Sequence, residues 1–280
     1  MNVELAEERI FLFPDRFTLE NAEGRAWTKR TEAFGALAKI GGMISKPKDE
    51  EYELVYRERR LQPFWRLAAH TDHLYERRRD YRLKVGPEVQ SVQVYGETLT
   101  TANREAALTL TELCREEARR EWFFDGITKS AQPLLKTYLV HESTQASAED
   151  LNAQVKGGTV VAPPQAKSSS LTRDVLAQVM PKIEADRIIS EKISIEAIDL
   201  YYRPIYAFRY RWQGKEAVVE FDAVTGDVRT NGATFESYVG KIFDPRFLLD
   251  VGAEAAGMFI PGANLAKIVM IKGMQIAKKA

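Results

Sequence analysis

The sequence predicts an α+β protein: two tandem lobes, each a small antiparallel sheet with helices, followed by a helical, apolar C-terminal tail. Three observations carry that expectation. Alternating apolar and polar stretches recur on both sides of a Ser-, Gly- and Pro-rich segment, which marks two sheet-forming regions. Stretches of helical period accompany each of them. The last part of the chain, residues 243–280, is apolar on nearly every side of a helical projection. The expected divisions are residues 1–142, a linker at 143–170, a second lobe at 171–242 and the tail at 243–280.

In the first lobe, Trp27 to Ile44 has Phe34, Leu37, Ala38 and Ile40 loosely on one face and predicts a helix. Gly41-Gly42 and Pro47 close it. Tyr52, Leu54 and Tyr56 alternate with Glu53, Val55 and Arg57 as a strand does, and Pro63 to Ala69, Tyr81 to Val85 and Val89 to Tyr95 continue the pattern. From Ala102 to Phe124 the period reads as helical, with Ala106, Leu110, Leu113 and Cys114 on one stripe. The linker, with Gly157-Gly158 and Pro163-Pro164, has almost no large aromatics and predicts little core of its own.

The second lobe starts with Ser170 placed to cap a helix from Leu171. Strands follow at Ile193 to Tyr202, Ile205 to Trp212 and Glu216 to Asp222. Laying Pro63 on Pro204 sets Leu61-Gln62-Pro63-Phe64-Trp65-Arg66-Leu67 over Tyr202-Arg203-Pro204-Ile205-Tyr206-Ala207-Phe208. Two readings of that match stand open: an internal duplication, or two unrelated hairpins that both begin with proline.

Composition excludes some functions. The 280 residues hold 40 Lys and Arg against 40 Asp and Glu, a formal charge of zero, which argues against nucleic acid as a partner. With 45% apolar and 29% charged residues the chain has the makings of a core. Cys114 is the only thiol, so no disulfide framework forms within the chain. Glu4, Glu7 and Glu8 precede the first apolar cluster, where a secretory signal would begin with basic residues. The expected location is the cytoplasm, with a peripheral place at the membrane open to the tail.

The stretch Glu216 to Val228, EAVVEFDAVTGDV, is an alternating strand that ends at Asp222 and turns through Thr225-Gly226-Asp227, Gly226 supplying a positive φ. Over about residues 181–229 this resembles the final hairpin of PepSY-type α+β domains, which often end in a similar D-x-x-T-G-x-V. The resemblance implies a non-catalytic binding or inhibitory module and supplies no catalytic residue.

Candidate sites are sparse. His70-Thr71-Asp72-His73 sets two imidazoles and a carboxylate within four residues, the raw material of a zinc site, yet strand positions three apart face opposite ways. Ordinary turn histidines are the competing explanation, so no metal is expected. Neither a nucleophile elbow nor a P-loop is present, and no cofactor is expected. Residues 54–84 hold nine cations against four acids, centred on Arg77, Arg78 and Arg79: either an anionic-partner patch or cations paired with acidic neighbours. Tyr202, Tyr206, Phe208 and Tyr210 offer a candidate ligand groove, because the surrounding strand carries rings on both faces. In the tail, Phe259, Leu265, Ile268, Val269 and Ile271 form a candidate interaction surface, with Lys267, Lys272, Lys278 and Lys279 interspersed. Packing onto the second lobe, pairing with another copy or partner chain, and lying at a membrane surface all suit such a segment.

The expected function is therefore a non-enzymatic interaction or scaffold protein. Its tail would mediate self-assembly as a homo-oligomer, docking of a partner protein or peripheral membrane association. Two alternatives come from other classes: a small-molecule or peptide-binding domain on the aromatic strands, and a metal-dependent hydrolase using His70, Asp72 and His73.

Overall fold

A computed structural model describes residues 2–35, 48–180 and 183–235. Strands dominate it. In chain order they are β1 (Asn2–Leu5), β2 (Glu8–Leu12), β3 (Glu53–Lys84), β4 (Ser91–Val94), β5 (Glu97–Ala102), β6 (Glu105–Asp125), β7 (Thr144–Ala146), β8 (Val160–Val161), β9 (Arg187–Trp212), β10 (Lys215–Asp222) and β11 (Val228–Arg229). The helices are α1 (Leu19–Ala33), α2 (Ala148–Lys156) and α3 (Ser168–Val179), with 3-10 turns at Asp49–Glu51 and Pro133–Val140.

The expectation of two small tandem antiparallel sheets is overturned. The strands form one hydrogen-bonded mixed sheet in the order β11-β10-β9-β3-β6-β5-β4, with β1 and β2 joined to β9, β7 to β2 and β8 to β3. The β1–β9 and β3–β8 pairs are parallel. Two features of the chain produce this. Pro63 and Pro204 lie inside strands of 32 and 26 residues rather than between shorter ones. The helix expected over Ala102 to Phe124 is absent; residues 105–125 run as a strand of 21 residues. Their Ala, Leu, Glu and Arg are good helix formers, but propensity is a weak determinant, and pairing with β3 overrides it. Arg77 donates to Glu112 (2.6 Å), Arg115 to Asp72 (2.9 Å) and the Tyr75 hydroxyl to Glu116 (2.5 Å), so the charges satisfy each other across strands rather than along a helix. The helical apolar tail lies outside the described residues.

The described residues divide into two compact units: those within 2–7, 67–121 and 169–198 form the smaller, and those within 8–66, 122–168 and 199–235 the larger. This partition is discontinuous in sequence and differs from the expected succession of lobe, linker, lobe and tail. The segment expected as a linker is structured. Ser147 caps α2 in a box with Asp150, the Ser147 N–H donating to Asp150 Oδ2 at 2.8 Å. Leu151, Val161, Ala162 and Ala166 are buried. Small residues there fit close packing, where a lack of aromatics suggested open coil.

In the larger unit, α1 starts at its Thr18 cap, whose Oγ1 accepts from Asn21 N–H. Its Ala22 and Ala26 pack with Tyr206, Phe208, Tyr210, Trp212, Val219 and Phe221. A second cluster gathers Phe13, Phe64, Phe123, Leu135, Tyr138, Tyr201 and Val224, with Phe64 and Tyr201 stacked at 5.2 Å.

The same turn occurs twice in this unit. Asp125 Oδ1 accepts from the N–H groups of Ile127 and Thr128 (2.9 and 2.8 Å); Asp222 Oδ1 accepts from those of Val224 and Thr225 (2.9 and 3.1 Å). Lys129 N–H returns to the Asp125 carbonyl and Gly226 N–H to that of Asp222 (2.9 and 2.8 Å), with φ of 62° and 81°. Gly126 N–H donates to the Pro63 carbonyl at 2.9 Å and Ala223 N–H to the Pro204 carbonyl at 3.0 Å. The residues beside these prolines match as well, since Ala162 N–H reaches the Leu61 carbonyl and Phe13 N–H that of Tyr202, each at 3.0 Å. Pro63 and Pro204, aligned in the sequence, hold equal hydrogen-bonding positions.

Candidate functional site

The His70 to His73 stretch belongs to β3, where side chains alternate between faces. His70 approaches Glu117 (2.9 Å) and Glu196 (3.8 Å). Asp72 takes both guanidinium branches of Arg115 at 2.9 and 3.0 Å, and that bond holds its carboxyl below the usual carboxylate range. His73 is buried, 2% exposed, and neither ring nitrogen has a hydrogen-bond partner among the described residues. A strand thus separates the two imidazoles. Among the described residues no group of three or more His, Cys, Asp or Glu side chains could hold a metal ion.

Tyr202, Tyr206, Phe208 and Tyr210 are buried, at 0%, 7%, 0% and 0% exposure. Three of them pack with α1, so the strand meets its neighbours there rather than an open groove. Burial pushes the hydroxyls of Tyr202 and Tyr210 well above the ordinary tyrosine pKa. Of the arginine run, Arg77 pairs with Glu112, while Arg78 and Arg79 are exposed. Strand alternation puts Arg78 on the face opposite the other two, which divides the patch. Phe259, Leu265, Ile268, Val269 and Ile271 lie outside the described residues.

The larger unit holds two charged clusters that sequence reasoning missed. In the first, Arg60, 1% exposed, donates through Nη1 to Glu58 Oε1 (2.9 Å) and to the Ala233 carbonyl (2.6 Å), and through Nη2 to Gln62 Oε1 (3.1 Å) and Glu220. The same carboxylates bind the backbone of the following segment. Ala233 N–H donates to Glu220 Oε1 at 3.0 Å and Phe235 N–H to Glu58 Oε1 at 2.8 Å. Two acids, one cation and three backbone bonds thereby tie residues 233–235 to β3 and β10. In the second cluster, Arg203 donates to Asp222 Oδ2 (3.2 Å) and to the Tyr138 hydroxyl, which also bonds Asp222. Burial drives the Tyr138 hydroxyl strongly upward in pKa. No family model, no curated protein and no solved structure matches the chain.

The signal for the first cluster was present in the alternation of Glu58, Arg60 and Gln62, which places three polar side chains on one face of β3. A polar stripe of that period normally reads as a solvent face. Only Glu220, far away in sequence, makes it an interior network. Chemically, both clusters neutralise charge and fix backbone. Neither sets a nucleophile beside a base, and neither is open to solvent. Among the described residues no helix is long and apolar enough to cross a membrane.

Proposed function

We propose that this chain is a non-enzymatic interaction protein in which a folded body presents its apolar C-terminal segment, residues 243–280, for self-assembly, partner docking or peripheral membrane contact. The observation that supports this reading is the buried Arg60–Glu58–Glu220 cluster, which holds residues 233–235 shortly before that segment begins. An isolated cation and two carboxylates are expensive to bury, and a cluster of this kind fixes geometry more than it adds stability. Fixing the root of a segment that carries few charges and many apolar side chains gives it a defined point of departure. Phe259, Leu265, Ile268, Val269 and Ile271 supply the contact surface, with lysines among them suited to snorkelling at an anionic lipid surface. The resemblance of residues 181–229 to PepSY-type modules, which bind or inhibit rather than catalyse, points the same way, and a cytoplasmic site with a peripheral membrane place suits it.

The test compares the full chain with a chain ended after Asp244, by sedimentation velocity with and without vesicles containing phosphatidylglycerol. The shortened protein is expected to keep its circular dichroism and cooperative unfolding while losing self-association and vesicle binding. An unfolded shortened protein would return the tail to the core and overturn the proposal. So would a folded one that associates as the full chain does.

A further inference from the structure

In the smaller unit the pair of β3 and β6 outruns its neighbour β9. Asp186, just before β9 begins, donates its N–H to the Glu76 carbonyl (2.9 Å) and accepts the Arg78 N–H on its carboxylate. His70 approaches Glu196 further along, so β9 runs antiparallel to β3 and starts beside Glu76. From there β3 continues to Lys84 with β6 on one side. Among the described residues no strand lies on the other side. Such an edge leaves backbone donors and acceptors for a further strand to pair with.

The hydrogen bonds already made fix which groups face out. The Arg78 N–H points to Asp186, away from β6, and strand alternation turns those of Asp80, Arg82 and Lys84 the same way. Val85 N–H donates to the Arg104 carbonyl at 3.0 Å, so the odd-numbered residues turn inward to β6. Side chains sort by the same period. Arg77 and Tyr81 both reach Glu112, which defines one face; Asp80 accepts from Thr109 (2.6 Å) and Arg82 approaches Glu105 (3.3 Å) on the other. Along the open edge the first face therefore carries Tyr81 and Leu83, 43% and 49% exposed, and the second carries Arg78, Asp80, Arg82 and Lys84. Lys84 makes no ion pair among the described residues, and Arg82 stays mostly exposed beside Glu105.

We propose that this open edge of β3, residues 79–84, takes up an extended segment of a partner protein in which acidic and apolar side chains alternate. Backbone bonds to Asp80, Arg82 and Lys84 hold the added strand. Alternation selects it: apolar side chains fall beside Tyr81 and Leu83, and acids beside Arg82 and Lys84. Charge also decides against the other occupant that an open edge invites, the same edge of a second copy. Residues 78–84 hold Arg78, Arg79, Arg82 and Lys84 against Asp80, and a second copy would bring the same excess of cations. Cations on an edge keep identical edges apart. An acidic strand they attract.

Titration of the full chain with blocked peptides, followed by amide hydrogen exchange in NMR, tests the proposal. One peptide alternates valine and glutamate, and a second alternates valine and lysine. The glutamate peptide is expected to bind saturably and to slow exchange at the amides of Asp80, Arg82 and Lys84. Those of Tyr81 and Leu83, which turn to β6, should stay as they were. The lysine peptide should bind about tenfold more weakly or less, and Arg82→Glu combined with Lys84→Glu should reverse that preference. Arg82→Pro should abolish binding, because it removes an outward N–H from a position where an edge strand tolerates proline. Circular dichroism checks that both variants fold; if either does not, the exchange pattern of the parent decides. No binding of the glutamate peptide overturns the proposal, as does equal binding of the lysine peptide or binding without protection of the three outward amides. Protection that grows with protein concentration in the absence of peptide would give the edge to a second copy and overturn it too.

Discussion

Arg60 and Arg203 are 1% and 2% exposed, and each pairs with buried carboxylates: Arg60 with Glu58 and Glu220, Arg203 with Asp222. Removing such a cation leaves its carboxylates buried and uncompensated, which costs about 3–5 kcal/mol. Arg60→Met should therefore lower the stability read from urea unfolding by that order, because Glu58 and Glu220 then face each other without a countercharge. It should also speed proteolysis around residues 233–235, whose backbone depends on the same carboxylates. Arg66→Met provides the contrast. Arg66 pairs with Asp199 at 2.9 Å, but Arg9 also reaches that carboxylate at 2.7 Å and Arg66 is itself partly exposed, so about 1 kcal/mol is expected. Equal losses for the two variants would show that burial does not set their worth. Tyr138→Phe should fall between them, since it removes one hydroxyl from a network whose charges still pair.

The two Asp turns are the elements where local chemistry decides most. Gly126 has no room for a side chain: a Cβ would come within 2.5 Å of the Pro63 carbonyl oxygen, a backbone atom that cannot move aside cheaply. Gly226 has φ of 81° and a Cβ there would meet the Phe17 ring at 2.9 Å, whereas Gly214, with φ of 73°, has open space around it. Alanine at Gly214 should cost only the left-handed backbone penalty, about 1–2 kcal/mol. Gly226→Ala adds a displaced ring, and Gly126→Ala should be the most damaging of the three by thermal denaturation. Any other order would mean that backbone conformation outweighs close approach at these turns. The Gly226 turn was legible in the sequence, because D-x-x-T-G-x-V within alternating residues states both its strand and its positive φ. Its counterpart at Phe124 to Ser130 was not, since Lys129 takes the left-handed position where glycine would have announced a turn. Residues 105–125 misled for a related reason: helix-favouring residues were held in a strand by partners on β3, and single-sequence periodicity does not register cross-strand charge pairs. Of the candidate site, His73 was visible as a residue type, but its burial comes from β6 and α3, which no local pattern ties to it.

Across the whole chain the 40 cations and 40 anions cancel, so near neutral pH no global repulsion works against the folded state, and particular groups govern its response to pH. The alkaline side is set in part by buried tyrosines. Burial raises the pKa of Tyr138, Tyr202 and Tyr210, as the charged phenolate is disfavoured away from water. In the unfolded chain the same hydroxyls ionise near pH 10. Below that pH both states hold the proton and the contribution to stability is constant. Above it the unfolded state releases protons that the folded state keeps, so stability falls as pH rises, by up to about 1.4 kcal/mol per pH unit for each such group. Lysines titrate over the same range, which makes a difference between variants the clean measurement. The Tyr202 hydroxyl has no hydrogen-bond partner among the described residues, so Tyr202→Phe should be close to neutral at pH 7. Between pH 10 and 11 the variant should lose less stability than the parent in urea titrations, and the gap should widen with pH. Parallel pH profiles for the two proteins would mean that Tyr202 ionises as readily in the folded chain as in the unfolded one, and the burial argument for the tyrosine core would fail.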